Sequence, residues 1–185
     1  IYGMAQTIFS MPCSFIPAIT ISIIPAVTAR LTLRSYEEAR KTEEAAARIT
    51  GLIAMPCAIG LAVLAEPVTA LLGQYAGEKL TLAARLTRIL AFAIVPNSAV
   101  LVTTAILQAH GHVSRPVLNL LFGGLLKLAA VHVLTGNPAI GILGTPIGTL
   151  LCYTVIGILN LISIRQLLPA PPALVRNLLR AFLPS

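Results

Sequence analysis

A lysine deep within a long apolar run is the first residue of this sequence that suggests chemistry. Lys127 lies inside the apolar stretch 116–134, away from both of its ends. A charged side chain at such a depth in a membrane costs about 2.5–3.5 kcal/mol, so we expect it to face a bundle interior or a wet cavity. There the ammonium group could bind an anion such as a phosphate. Two other interpretations remain open: a lysine that snorkels to the outer interface, and an ion pair inside the bundle.

Uncharged polar side chains in the apolar runs could complete a cavity wall around this lysine. Asn119, Gly123 and Lys127 follow one another at intervals of four, which places them on one face of a helix. Individually, such polar residues usually hold membrane helices together, each contributing less than about 1 kcal/mol. Together, the uncharged polar residues of the third and fifth predicted spans, Thr103 and Asn160 among them, make a wet, uncharged wall plausible. The residues predicted to line the cavity or bind substrate are Lys127, Asn119, Gln108, Thr104, Tyr153 and Asn97.

Three prolines fall in the first apolar run and are predicted to kink it. Pro12, Pro17 and Pro25 each remove a backbone hydrogen bond from a helix. Nearby hydroxyl groups or neighbouring helices can satisfy the freed carbonyl groups. The run is therefore either a bent packing helix or a hinged helix that lines the substrate path of a transporter.

Catalytic and metal-binding patterns are missing from the sequence. It contains no Asp, and none of the motifs of hydrolases or phosphoryl-transfer enzymes. His110 and His112 are two residues apart in a turn, a spacing that does not favour a metal site. The three cysteines lie singly inside apolar runs. We therefore predict a protein that is not an enzyme and that uses no cofactor and no metal.

The composition is that of an integral membrane protein. Of the 185 residues, 57% are hydrophobic and only 10% are charged, and the mean hydropathy is +0.90. Soluble domains carry about 25% charged residues. A soluble fold could not hide so much apolar surface from water.

Five apolar runs are long enough to cross a bilayer as helices, which needs about 20 residues each. The runs are too long for strands and do not alternate, so the predicted fold is an all-α polytopic membrane protein. We expect 1–168 to form part of a transmembrane bundle, and 169–185 a proline-rich connector with the start of a further helix. The chain is expected to be a fragment of a longer protein. The predicted spans are 10–28, 50–72, 86–108, 116–134 and 140–165.

The segment 30–48, between the first two predicted spans, is the only strongly charged part of the chain. Ser35 could cap a helix there, with Glu38 as its capping-box partner, and Glu37 stands four residues before Lys41. We predict a short, exposed amphipathic helix on the membrane face. Because charges of both signs are mixed, it should be a solvated connector and no nucleic-acid-binding device.

The distribution of basic residues predicts the orientation in the membrane. With five passes, nine Lys and Arg residues fall on one side and three on the other, and the side richer in them is usually cytoplasmic. The start of this chain should therefore lie outside and its tail in the cytoplasm. The nine are Arg30, Arg34, Arg40, Lys41, Arg48, Arg115, Arg165, Arg176 and Arg180; the three are Lys79, Arg85 and Arg88.

Three stretches together carry a resemblance to a known group of transporters. They read YGMAQTIFSMPCSFIPAITISIIPAVTAR, LAEPVTALLGQYA and TTAILQAHGHVSRPVLNLLFGGLLKLAAVHVL. Their order and spacing resemble the multidrug/oligosaccharidyl-lipid/polysaccharide flippase superfamily. Within it, the chain is most similar to the polysaccharide biosynthesis branch that includes stage V sporulation protein B. The resemblance covers 1–168.

The resemblance implies two six-helix bundles with alternating access to a central cavity. This chain would form most of the second, MATE-like bundle, and its partners would be membrane lipid, a lipid-linked sugar and the first bundle of the same protein. The implied role is to flip lipid-linked oligosaccharides or peptidoglycan precursors across the bacterial cytoplasmic membrane. Such substrates carry a pyrophosphate, which fits a cavity-facing Lys127.

Two other functions remain as hypotheses. A cation-coupled multidrug antiporter belongs to the same superfamily, although its coupling carboxylates lie mostly in the first bundle. A membrane scaffold for polysaccharide assembly that transports nothing is the hypothesis from a different class. Drug efflux driven by an ion gradient would favour the antiporter, and a bundle whose cavity reaches neither face would favour the scaffold.

Overall fold

The regular elements are helical throughout the part of the chain that the structure describes. This structure is a computed structural model, and it describes residues 1–74, 76–137 and 140–168, without the side chains of Ile19 and Thr20. The predicted connector at 169–185 lies outside the described residues. The elements are α1 (Tyr2–Cys13), α2 (Ile16–Thr32), α3 (Tyr36–Val63), α4 (Ala65–Gly73), α5 (Glu78–Ala109), α6 (Ser114–Thr135), a short 3-10 helix (Gly141–Leu143) and α7 (Gly144–Leu167).

Five helical segments of the described chain are long and apolar enough to cross a membrane, as predicted. Their mean hydropathy lies between 1.7 and 2.0. The polytopic all-α fold class is thereby confirmed. The segments are Tyr2–Thr32, Tyr36–Val63, Glu78–Ala109, Ser114–Thr135 and Gly141–Leu167.

The first span is longer than predicted and is interrupted between its prolines. It begins at Tyr2 and not near residue 10, because Ala5, Ile8 and Phe9 already pack into the core. α1 ends one residue after Pro12, and α2 begins with Pro17 in its first turn. Pro25 lies inside α2. The break therefore lies between two prolines, each of which has no N–H group to donate to a helical hydrogen bond.

The charged segment 30–48 does not form a separate exposed helix, so that prediction is wrong. From Tyr36 it continues without a break into the second span as α3, which ends at Val63; α4 follows from Ala65. Ser35 precedes α3 but makes no capping hydrogen bond with its side chain. On α3, Arg40 lies 3.8 Å from a carboxylate oxygen of Glu37 and 3.3 Å from one of Glu44. The charges are thus arranged along one continuous helix.

α5 is the central helix of the bundle. It packs against α1, α2, α3, α4 and α7, whereas α6 lies mainly against α7. More than half of the apolar part of α5 is buried, and almost none of α6 is. The core around α5 combines Leu86, Leu90 and Ile94 with Ala54 and Ala58 of α3 and Phe9 of α1. α6 is consequently the helix that this part of the chain covers least.

Small residues allow α6 and α7 to approach each other closely, as the pair Gly144 and Gly148 indicates. A methyl group added at Gly148 would lie 2.8 Å from Cγ2 of Val131. One added at Gly144 would lie 2.7 Å from Cβ of Leu134. Real side chains do not approach so closely, so these positions require glycine for the two helices to pack as they do.

Candidate functional site

A buried network of polar side chains joins α5, α6 and α7. Asn160 of α7 is completely buried. Its amide nitrogen donates to the hydroxyl oxygens of Thr103 and Thr104 on α5, at 3.1 Å each. Its carbonyl oxygen accepts a hydrogen bond of 2.8 Å from Asn119 on α6, which also donates to Ser163 at 3.2 Å. One amide therefore ties three membrane helices together.

The hydroxyl groups of this network have further partners on their own helices. Thr103 donates to the carbonyl oxygen of Ala99 at 2.7 Å, and Ser163 donates to that of Leu159 at 2.9 Å. Threonine and serine commonly bond back to the preceding turn in this way. Their oxygens remain free to accept from the amides, which is what the geometry shows. The network is thus satisfied internally, as buried polar groups in a membrane must be.

Sequence reasoning placed Asn119 and Thr104 on a cavity wall, and the structure brings both to Asn160. Asn160 was noted only as a further polar residue, two turns from Tyr153 on the same helix. Its position in an apolar run, close to Ser163, is the signal that could have identified it as part of a polar contact between helices. A polar pair one turn apart in such a run needs partners from neighbouring helices.

The stripe formed by Asn119, Gly123 and Lys127 does face α7. Gly123 is buried against the side chain of Ile156. Lys127 is half-buried, and its carbonyl oxygen would lie 3.7 Å from a methyl group added at Gly148 of α7. Within the described residues no carboxylate lies within 4.0 Å of the ammonium group. The ion-pair interpretation therefore finds no partner in the part of the chain described.

A cleft of about 190 Å³ lies between α2 and α5. Thr104 and Gln108, one turn apart on α5, both line it, and Pro17 lines the opposite side. Thr104 therefore links the cleft to the network around Asn160. The remaining lining residues are Ile21, Ile24, Leu101 and Ala105.

Asn97 and Tyr153 lie apart from this network, nearer to α1. Asn97 lies beside Cys13 of α1. Tyr153 is partly buried against the core cluster that also packs Tyr2 and Cys13. The predicted residues thus lie in three places: Lys127, Asn119 and Thr104 where α5, α6 and α7 meet, Gln108 in the cleft between α2 and α5, and Asn97 and Tyr153 where α5 and α7 meet α1.

The described residues contain no group of three side chains of the kinds that bind metals, so nothing here favours a metal centre. His110 and His112 follow α5 in the turn that leads to α6. The three cysteines are unpaired thiols.

The helices and their polar contacts define the class: a polytopic α-helical membrane protein. A family model described as "Lipid II flippase MurJ" matches residues 1–183, and the chain belongs to that family. No curated protein and no solved structure matches the chain. Membership confirms the predicted superfamily. Together with the five spanning segments, it identifies a multi-pass inner-membrane protein. The family consists of flippases for lipid-linked precursors, which are transporters and not enzymes.

Proposed function

We propose that this chain forms most of one bundle of a flippase that moves a lipid-linked peptidoglycan precursor or oligosaccharide across the inner membrane. The match of the lipid II flippase family over residues 1–183 carries this proposal. The five spanning segments and the buried polar contacts between them are what such a bundle requires. Transport would proceed by alternating access, together with the first bundle of the same protein.

Lys127 is proposed to bind the pyrophosphate of the substrate. Its side chain is half-buried on α6, and within the described residues no carboxylate neutralises it. A cation in that state has strong affinity for phosphate oxygens in a medium of low dielectric constant. α6 is also the helix least covered by the rest of this chain, so the face beside Lys127 is accessible to a lipid-borne ligand.

The cleft between α2 and α5 is proposed as part of the substrate path. It brings Thr104 and Gln108 opposite Pro17. The break between α1 and α2 lies between Pro12 and Pro17, and Pro25 lies within the continuous helix α2 further along. A helix interrupted in this way can bend when access alternates, which supports a hinge at these three prolines.

The orientation is proposed from the basic residues. The segment with Arg30 to Arg48, the α5–α6 turn with Arg115, and the end of α7 with Arg165 would face the cytoplasm. The beginning of α5, which holds Lys79, Arg85 and Arg88, would face outward.

Replacing Lys127 by Ala in the full-length protein should reduce flipping about 10- to 100-fold. This is the loss expected when a charge-assisted hydrogen bond worth about 1.5–3 kcal/mol is removed. Complementation of a flippase-deficient strain measures the effect, with immunoblotting to confirm the amount of protein in the membrane. Lys127→Arg should retain most activity because it keeps the charge.

The matched control for this experiment is Lys41→Ala, which removes an exposed cation on α3 and should leave activity unchanged. Full activity of Lys127→Ala would remove Lys127 from the mechanism without touching the flippase assignment. Failure of the wild-type protein to complement, combined with ion-driven drug efflux in vesicles, would instead favour the antiporter.

A further inference from the structure

A carboxyl group is buried at the junction of α2, α3 and α5. Glu43 of α3 is only 1% exposed. Ala39 and Ala46 lie one turn to either side of it and pack with Ile23 and Val27 of α2 and Ala109 of α5. This is an apolar environment, and Oε1 of Glu43 has no hydrogen-bond partner among the described residues.

His110, directly after the end of α5, is a polar neighbour of Glu43. Nδ1 of His110 lies 3.5 Å from Oε1 of Glu43 and 3.0 Å from the carbonyl oxygen of Ile106. A carbonyl oxygen only accepts hydrogen bonds, so Nδ1 must carry the hydrogen. That hydrogen is directed at Ile106. The contact with Glu43 is therefore electrostatic, and it leaves the carboxyl oxygen without a bond.

An ionised carboxylate without hydrogen bonds in such a place would cost several kcal/mol. Two arrangements avoid this cost: an imidazolium at His110, or a proton on Glu43. Burial lowers the pKa of the His110 imidazole, and the neighbouring His112 lowers it further, although the bond to Ile106 opposes both effects. The imidazolium is thus disfavoured, and the proton belongs on the carboxyl group.

The other charged groups around the junction do not pair with Glu43. On α3, Glu44 adds a negative charge nearby, and Arg40 lies 3.3 Å from Glu44. From α2, Arg30 donates to the carbonyl oxygen of Glu38 at 3.0 Å and to the hydroxyl oxygen of Thr42. α2 itself reaches α5 through Thr28, whose hydroxyl group lies 3.4 Å from the carbonyl oxygen of Ala109.

We propose that Glu43 is a proton-binding site that holds α3 against the end of α5. With the proton bound, the neutral carboxyl group packs into the apolar junction beside His110. When the proton leaves for bulk water, the carboxylate is drawn toward solvent and α3 separates from the α5–α6 turn. The ligand is the proton alone, and the site does not depend on which substrate the protein flips.

Infrared difference spectroscopy of the purified full-length protein tests the bound proton directly, because a protonated carboxyl group has its own C=O stretching band. Titration from about pH 5 to pH 9 covers the range in which exposed carboxyl groups are already ionised. The wild type should show a band that disappears as the pH rises, and Glu43→Gln should lack it. Glu44→Gln, which changes the adjacent carboxylate, should keep it.

Thermal unfolding over the same pH range provides the readout of packing. A group that is protonated in the folded state and ionised in the unfolded chain stabilises the fold at low pH, and this contribution is lost as the pH rises. The melting temperature of the wild type relative to that of Glu43→Gln should therefore fall with rising pH, because the opposing contribution of His110, whose pKa is lowered by burial, is present in both proteins. A wild-type pH profile in Glu43→Gln, or an unchanged infrared band, would overturn the proposal. If Glu43→Gln does not fold, Glu43→Asp must shift the band, and a band that stays in place would overturn the proposal equally.

Discussion

Gly144→Ala should push α6 away from α7 and lower the free energy of unfolding by about 1–3 kcal/mol, the usual cost of overpacking. The added methyl group would lie 2.7 Å from Cβ of Leu134 and 2.9 Å from two backbone atoms, the carbonyl carbon of Leu134 and the nitrogen of Thr135. A backbone cannot move aside as a flexible side chain does. Relief requires a shift of the whole end of α6.

The matched control is Gly124→Ala on α6, where a new methyl group meets no atom within 4 Å. Alanine is favoured over glycine within a helix by about 0.5–1 kcal/mol, so this change should be neutral or stabilising. Detergent-induced unfolding of the full-length protein measures both variants. If Gly144→Ala were as stable as Gly124→Ala, this result would contradict the close approach of α6 and α7 at Gly144.

The spans could be predicted from the sequence, but their packing order could not. The cost of placing a residue in lipid depends on that residue alone, so apolar runs reveal membrane helices without any knowledge of neighbours. The position of a helix in the bundle cannot be recognised from its hydropathy, because lipid and the protein interior are similarly apolar. α5 and α6 have nearly equal mean hydropathy, 2.0 and 1.9, yet α5 lies in the centre and α6 at the side.

Glu43 shows why part of the polar chemistry was missed. The sequence places Glu43 in the segment 30–48, which it predicts to be an exposed, solvated helix, and His110 in a turn whose spacing does not favour a metal site. Their burial comes from α2 and α5, which are distant in sequence, so no local pattern reveals it. One signal was available: Ala39, Ala46 and Ala47 mark a small, buried face of α3, and Glu43 lies on it.

Asn119 and Thr104 illustrate the opposite case. Both were identified from their residue type within an apolar run, because a polar group in lipid needs a partner. The sequence could not say that the two residues share a partner, Asn160, since that depends on how α5, α6 and α7 meet. The network stabilises the packing of three helices and includes Thr104, which also lines the proposed substrate path.

Asn160→Leu should lower the free energy of unfolding by about 2 kcal/mol. The change keeps a side chain of similar volume but removes three hydrogen bonds between helices, each worth about 0.6 kcal/mol in a membrane protein. Thr103 keeps its bond to Ala99, and Asn119 keeps its bond to Ser163. The loss of stability therefore measures the three bonds of Asn160 and not the loss of the other hydrogen bonds in the network.

Thr154→Val is the control on the same helix, because Thr154 is exposed and its hydroxyl group donates to the backbone of Leu150 in the preceding turn. That variant should stay within about 0.5 kcal/mol of the wild type. In a double-mutant cycle, Asn119→Leu and Asn160→Leu should couple by about 0.6 kcal/mol, the value of the one bond they share. A coupling of zero would mean that the bond between Asn119 and Asn160 does not stabilise the contact of α6 with α7, and would contradict the network.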